Sequence, residues 1–323
     1  MNDKKLEQIG FYTLTDARCR NASAISPLWR CEILLTNQCN FSCHYCRGRS
    51  EESYTMPYLE AERIVKKFAS HDLKNIRLSG GEPTQYVMLR RLVATCKRSG
   101  IERIAISTNG SAGIWLYNDL IDLGVNDFSI SLDACCAADN KRMNGGNDSW
   151  NTVTDNIRKI AKRTYVTVGV VLDDNNMPEV NKIIEFISGL GVADIRIISA
   201  AQHNKLENIS MVDKTKFPIL NYRLSNHNAN RNVRGIMHKD SNSCGLVLDD
   251  MAIWKDKHYP CIIYLREGGS PIGDTNKSMR AIREERLKWH KNHKSKEDGI
   301  CSKNCLDVCI DYNNKFMYSR SIK

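Results

Sequence analysis

The chain has 323 residues, 41% of them hydrophobic, with 47 Lys and Arg against 37 Asp and Glu and a formal net charge of +10. That length suits one large domain, or one domain beside a smaller one. With no apolar run of some 18 residues a membrane span is not expected, and with no apolar core in the first thirty residues neither is secretion. A cytoplasmic location follows as the expectation, and thirteen cysteines in that reducing setting point to metal or catalytic sites rather than disulfides.

Residues 1–29 form a polar N-terminal extension. A rhythm then begins. "RCEILLT" (30–36) has the composition of a buried strand, and "YLEAERIVKKFASH" (58–71) carries apolar residues at helical spacing. The alternation continues through a strand at 75–81, a helix at 88–100 and a strand at 103–110. A helix at 113–124, a strand at 127–133 and a helix at 150–162, capped by Ser149 or Asp148, come next. A strand at 165–172, a helix at 178–191 and a strand at 194–199 complete the series. Six strands alternating with five helices predict an α/β fold with parallel strands, either an open doubly wound sheet or a partial (β/α) barrel. Both put their chemistry at the C-terminal ends of the strands. After 199 the rhythm stops, so a second, smaller domain is expected over 200–323. It would hold a helix near 211–222, a hairpin over 244–265 and a basic helix over 277–294.

Four special segments fall at strand ends: "CNFSCHYC" (39–46), "SGGEPT" (79–84), "STNG" (107–110) and "SLD" (131–133). Cys39, Cys43 and Cys46 are soft thiolate ligands suited to zinc or an iron–sulfur cluster. Structural zinc wants four closed ligands, for which His44 is the nearby fourth. A cubane cluster takes one ligand per iron, so three cysteines leave one iron open. Cys19, Cys31, Cys96, Cys135 and Cys136 lie outside any such pattern and are expected to be small buried hydrophobes.

The spacing Cys39–Cys43–Tyr45–Cys46 resembles the signature loop of the radical S-adenosylmethionine (SAM) superfamily. The resemblance runs over residues 30–199 and implies a partial (β/α)6 barrel resembling a TIM barrel. It also implies a [4Fe–4S] cluster on the three cysteines whose open iron takes SAM, with Tyr45 against the adenine. Gly80, Gly81 and Glu82 resemble the strand end that receives the methionine amino group. Ser107, Asn109 and Ser131 lie on the two strand ends that meet the ribose and methionine portions. Relatives carry a basic residue where this chain has Asn144; Arg142 is the substitute available to meet the SAM carboxylate.

The region from Cys244 through "HYPC" to "PIGD" resembles the SPASM and twitch auxiliary-cluster domains, with Lys257 in place of a turn glycine. Five cysteines rather than seven imply one second [4Fe–4S] cluster, on Cys244 and Cys261 plus two of Cys301, Cys305 and Cys309. A zinc site on the same residues is the alternative. An external electron donor such as flavodoxin is expected.

Residues 1–198 hold 25 Lys and Arg against 23 Asp and Glu, whereas 199–323 hold 22 against 14. That basic last third favours an acidic substrate. Arg231, Arg234, Lys239, Arg280, Arg283, Arg286, Lys288 and Lys291 would track a phosphate backbone, and Trp254, Tyr259, Tyr264 and Trp289 would stack on bases, or else pack in the core. Two substrate classes therefore stand: a nucleic-acid base or nucleotide, which the charge placement favours, and a peptide or protein. A non-catalytic metal-binding protein would leave the three later strand ends without a purpose. The molybdenum-cofactor GTP cyclase shares one auxiliary cluster and a basic site, but ends in a glycine pair that is missing here.

Overall fold

The computed structural model describes residues 18–47, 52–201, 206, 209 and 216–321. Six parallel strands run β1 (Arg30–Thr36), β2 (Asn75–Gly80), β3 (Arg103–Thr108), β4 (Asp127–Ser131), β5 (Tyr165–Leu172) and β6 (Asp194–Ser199). Each pairs with its sequence neighbour, as helical crossovers of one hand require. After a short α1 (Arg18–Asn21), the crossovers are α2 (Tyr58–Ala69), α3 (Leu89–Arg98), α4 (Ile114–Asp122), α5 (Ala137–Met143) with α6 (Trp150–Ala161), and α7 (Val180–Ser188). The helix α5 has no counterpart in the sequence reading. It is two turns long and buries Asn140 and Met143 alone, too few positions to write a helical period. Ser149 precedes α6 without capping it; its hydroxyl instead accepts from Asn140 and Asn144.

The strands have two unlike faces, because successive side chains alternate. One face (Ile33, Leu35, Ile76, Leu78, Ile104, Ile106, Phe128, Ile130) is buried under the helices as one continuous core. The other is polar: Glu32, Arg77, Ser79, Ser107, Ser129, Thr167 and Arg196 line a cavity of ≈ 350 Å³. A closed eight-stranded barrel fills this space with apolar layers. Here it remains a chamber.

After β6 come α8 (Pro218–Asn228), β7 (Asp250–Trp254), β8 (Lys257–Tyr259) and α9 (Ile262–Arg266). They are followed by β9 (Gly273–Asp274), α10 (Met279–Asn292), α11 (Cys301–Asn304) and α12 (Asp307–Ser321). Of the helix expected near 211–222, residues 211–215 lie outside the described residues. The expected hairpin over 244–265 is shorter than its sequence pattern, since "IIYLR" is helical. Nor is it a separate sheet: β7 pairs in parallel with β1, giving one nine-stranded sheet of order β6-β5-β4-β3-β2-β1-β7-β8-β9. The Arg30–Asp250 ion pair, 2.9 Å long, lies on that seam between residues in direct register. A small second core gathers Cys19, Ala22, Leu246–Leu248, Val308, Tyr312 and Phe316.

Helix α10 is basic as expected, but not as a stripe facing outward. Arg286 is buried, and its guanidinium donates to the carbonyls of Val247 (2.7 Å), Tyr259 (3.1 Å), Pro260 (3.3 Å) and Asp250. Arg283 does the same for Ala24 (3.0 Å), Leu248 (2.9 Å), Ser26 (2.8 Å) and Ser23. Both therefore stitch loops to the helix and are removed from any phosphate track. Arg280, Lys239, Lys288 and Lys291 are exposed, while Arg231 is bound to Asp240. Trp254 packs edge-on against Tyr54, Tyr259 is buried, Tyr264 hydrogen-bonds Asp298, and Trp289 stacks on His293 at 3.8 Å. These rings are engaged within the protein. Among the described residues no helix is long and apolar enough to cross a membrane.

Candidate active site

All thirteen cysteines are unbridged. Cys19, Cys31 and Cys96 are buried as expected. Cys135 is half-buried, and Cys136 is exposed because it opens α5, with its thiol 3.2 Å from the Asp139 carboxylate.

Cys39, Cys43 and Cys46 follow β1 at the C-terminal mouth of the half-barrel, and all three line the cavity. Their loop is held at three places. Gly81 N donates to the Thr36 carbonyl (2.7 Å) and Glu82 N to the Gln38 carbonyl (2.8 Å). A Cβ on Gly80 would sit 2.2 Å from the Thr36 oxygen, and one on Gly81 2.3 Å from the Gln38 oxygen. The two glycines thus admit the cysteine loop itself to the end of β2, a reason the motif alone does not disclose. On the other side Ser42 N donates to the Asn144 carbonyl (3.1 Å), and a Cβ on Gly145 (φ +81°) would meet the Ser42 oxygen at 2.5 Å. Asn144, the position at which the resemblance implied a basic residue, is buried. It accepts from Asn147 N (2.9 Å) and donates to Ser149 (3.0 Å), shaping the turn that clamps the loop.

The third hold is Tyr45. Its ring lines the cavity and its hydroxyl donates to Asp133, whose second oxygen accepts from Val171 N at 2.6 Å. Asp133, the acid of "SLD", is pushed up to about 6 by burial. Burial, with Asp133 nearby, pushes the Cys43 thiol up to about 12. His44 has its Nε2 on Asp173 at 2.5 Å and, unlike Cys43, Tyr45 and Cys46 around it, is not part of the cavity lining.

Ser107, Asn109 and Ser131 all line the cavity. Ser107 accepts from Arg77 (2.9 Å), and the Asn109 amide donates to Asn40 Oδ1 (2.9 Å) and lies 4.0 Å from Cys39 Sγ. Glu82 and Arg142 sit elsewhere. Glu82 is 0% exposed and receives Thr84 N (3.0 Å), the hydroxyls of Thr84 and Thr108 (2.7 Å each) and Asn109 N (2.7 Å). It ties the ends of β2 and β3 together behind the cavity wall. Arg142 is turned outward to Asp139 (2.9 Å) and the Asn175 carbonyl, because α5 presents it to solvent. It is outside the cavity lining.

The second thiol group forms around α9, α11 and α12. Cys261 opens α9 and accepts from Tyr264 N. Cys244, Cys301 and Cys309 lie within electrostatic reach of it, and Cys305 within reach of those three. Burial and its neighbours push Cys244 up to about 11, and the same causes raise Cys261 and Cys301 further. Cys305 and Cys309 share a hydrogen bond that raises the first and lowers the second. Thiols so crowded ionise together only around a cation, which suits a metal group here. A single zinc ion would draw its sulfurs to about 3.8 Å of one another. Among the described residues the set of three ligand atoms within 4.8 Å of one another is His293, Asp298 and Cys301, so neither cysteine group is closed on one small ion.

A parallel half-barrel with a polar chamber, and a clamped three-thiol loop at its mouth, defines an iron–sulfur enzyme of the α/β class. The comparisons specify it. Residues 33–187 match the Radical SAM superfamily, and the chain belongs to it; its cofactors are SAM and a [4Fe–4S] cluster bound by cysteines. Curated relatives named "Probable GTP 3',8-cyclase" include one from Metallosphaera sedula, 29% identical over 177 residues (53% of this chain, 56% of the relative). Another, from Saccharolobus solfataricus, is 30% identical over 176 residues (53% and 57%). The chain thus spans little more than half the length of these relatives. Among solved structures, anSMEcpe with bound AdoMet superposes with a TM-score of 0.62 at 16% identity over 91% of this chain and 95% of that one. Streptococcus suis SuiB bound to the precursor peptide SuiA gives 0.62 at 14% identity over 94% and 74%. These two likenesses establish the fold.

The sequence reading missed Glu32, Arg77, Arg196 and Arg266 as cavity residues, while Asp133, within "SLD", and Arg234, expected on a phosphate track, do line it. A signal existed for three of them. Glu32, Arg77 and Arg196 are charged residues in otherwise apolar strands, and Glu32 and Arg77 are partners in register.

Proposed function

We propose that Cys39, Cys43 and Cys46 hold the SAM-binding [4Fe–4S] cluster, that Cys244, Cys261 and two of Cys301, Cys305 and Cys309 hold a second cluster, and that the substrate lies between them. One observation carries this reading: a single cavity is lined by Cys39, Cys43 and Cys46 and also by Cys261 and Cys309. The first cluster and SAM, bound there, would supply one-electron reduction of SAM and hydrogen-atom abstraction from a substrate carbon. The chain's own residues position and exclude. Gly80, Gly81 and Gly145 let the backbone close on the loop, Tyr45 and Asp133 fix its far end, and Ser107, Asn109 and Ser131 offer hydrogen bonds at the mouth. Helices on the outer face keep water from the chamber floor.

A nucleotide-class substrate is favoured over a peptide. The arginine-rich wall supports it, as do the names of the curated relatives. The peptide reading draws on SuiB, whose solved complex holds a precursor peptide. An external reductant such as flavodoxin is the implied partner.

Anaerobic reconstitution followed by reductant and SAM tests the core of this reading. About eight irons per chain are expected for two cubanes, with formation of 5′-deoxyadenosine that disappears in Cys43→Ala. A protein that binds zinc alone and leaves SAM intact ends it; four irons with one zinc removes the second cluster only.

A further inference from the structure

Arginines crowd the cavity wall, and several are matched by acids. Arg30 pairs with Asp250, Arg47 with Glu267, Arg223 with Asp307, and Arg77 with Asp127 at 3.4 Å. Arg196, Arg234 and Arg266 line the same wall. Arg196, on the floor strand β6, donates to the Ser129 hydroxyl (2.9 Å) while its Nε is buried with no hydrogen-bond partner. Gly169, its partner in register, leaves it room: a Cβ there would come within 3.3 Å of the guanidinium. Arg266, at the end of α9, reaches Glu32 only at 3.9 Å, and Glu32 already accepts from Ser79 (2.8 Å). Arg234 is 3% exposed and donates through Nε to the Ser199 carbonyl (2.9 Å).

We propose that Arg196, Arg234 and Arg266 form a subsite for the phosphate of a small phosphorylated substrate, held between the two thiol groups. The proposal rests on the reading of this cavity as the substrate site and narrows its occupant. The placement follows from the chain. Arg266 belongs to the helix that Cys261 opens, and Arg234 is bridged to Leu306, beside Cys305. Arg234 lies close enough to Arg266 that burial and the Arg266 charge push it down to about 10. Positive charge is thus in excess where a substrate would lie, and an anion relieves both the repulsion and the unmet Nε donor. Phosphate fits better than carboxylate. It carries about −1.5 to −2 charge with three acceptor oxygens, enough for several guanidiniums at once, and arginine forks match it bidentately. The enclosed position also selects a small molecule or a single flipped nucleotide over a duplex, which an interior wall cannot track.

The test is calorimetric titration of the anaerobically reconstituted protein with inorganic pyrophosphate, GTP, guanosine and a tetraglutamate peptide. GTP should bind about tenfold or more tightly than guanosine, and pyrophosphate should compete with it. Arg266→Gln, whose side chain is partly exposed, should lose about tenfold in GTP affinity, with Arg266→Lys recovering part of it. Iron content and the thermal midpoint report that each variant has folded, and the GTP–guanosine comparison stands on the parent protein alone. Equal affinities for GTP and guanosine overturn the proposal, as does an Arg266→Gln variant that binds GTP like the parent. Tetraglutamate binding more tightly than pyrophosphate overturns it in favour of a carboxylate. A parent protein that binds pyrophosphate but does not cleave SAM supports this subsite and sinks the radical-SAM assignment of the pocket, so the two failures are distinct.

Discussion

Gly145 and Gly146 are neighbours with similar backbones, φ +81° and +98°, yet a Cβ at the first would strike Ser42 at 2.5 Å while one at the second would meet nothing within 4 Å. The strain of a positive φ is common to both. The difference between alanine variants therefore isolates the contact on the cysteine loop. Gly145→Ala should lose much of the iron held by the loop on anaerobic reconstitution, and Gly146→Ala should keep it. Equal iron contents would mean that the clamp on Ser42 is not what shapes the loop. The same scale explains what Glu82, Asn144 and Asp133 do as positioning residues, Glu82 from behind the cavity wall and the other two from its lining. Each is buried and spends its oxygens on neighbouring backbone and side-chain donors, which sets where Asn109, Ser42 and Tyr45 lie.

A helix can be basic and still show little of its charge. In α10 the period of 3.6 turns Arg283 and Arg286 inward and leaves Arg280, Lys288 and Lys291 outside. Arg286→Met should strip a buried set of carbonyls of their donor, at about 1–3 kcal/mol for each one left unmet. A loss of about 3 kcal/mol or more in urea unfolding is expected, against about 0.5 kcal/mol or less for Arg280→Met on the exposed face. Similar losses for the two would return Arg286 to the surface. The elements of the half-barrel were legible because alternating strands and helices carry strong periods. Helix α5 and the start of α9 were not, since each is too short for a period to accumulate.

At the scale of the molecule, the last third is welded to the half-barrel. Strand β7 extends its sheet, and α10 bonds back through Arg283 and Arg286 to the segments around Ser26 and Val247. His258 sits at that junction, 0% exposed, accepting from Arg286 (3.2 Å) and donating to Glu285 (3.1 Å). Burial and Arg286 push its pKa down to about 4 from the usual 6.5. The sign is set by proton uptake: between pH 6.5 and 4 the unfolded chain binds a proton that the folded one refuses, so stability falls as pH falls through that window. At pH 5 the loss is about 2 kcal/mol. Thermal midpoints at pH 7 and 5 should separate more in the parent than in His258→Gln, whose amide can both accept and donate. Equal separations would remove His258 as the source.

The sequence by itself determined the α/β rhythm, the cysteine loop at the first strand end and the superfamily, because spacing along the chain writes period and ligand order directly. It also marked the second cysteine group by number. Only the tertiary structure decided which charges matter. Lys and Arg counts in the last third pointed outward to a nucleic-acid track, whereas folding buries Arg283 and Arg286 as fasteners and turns Arg234 and Arg266 into the chamber. Arg196 and Arg77 reach the same chamber from strands that read as simply apolar. Whether an arginine faces solvent, a carbonyl or a cavity depends on which distant segments pack around it, and that information is carried by contacts across the sheet rather than by order along the chain.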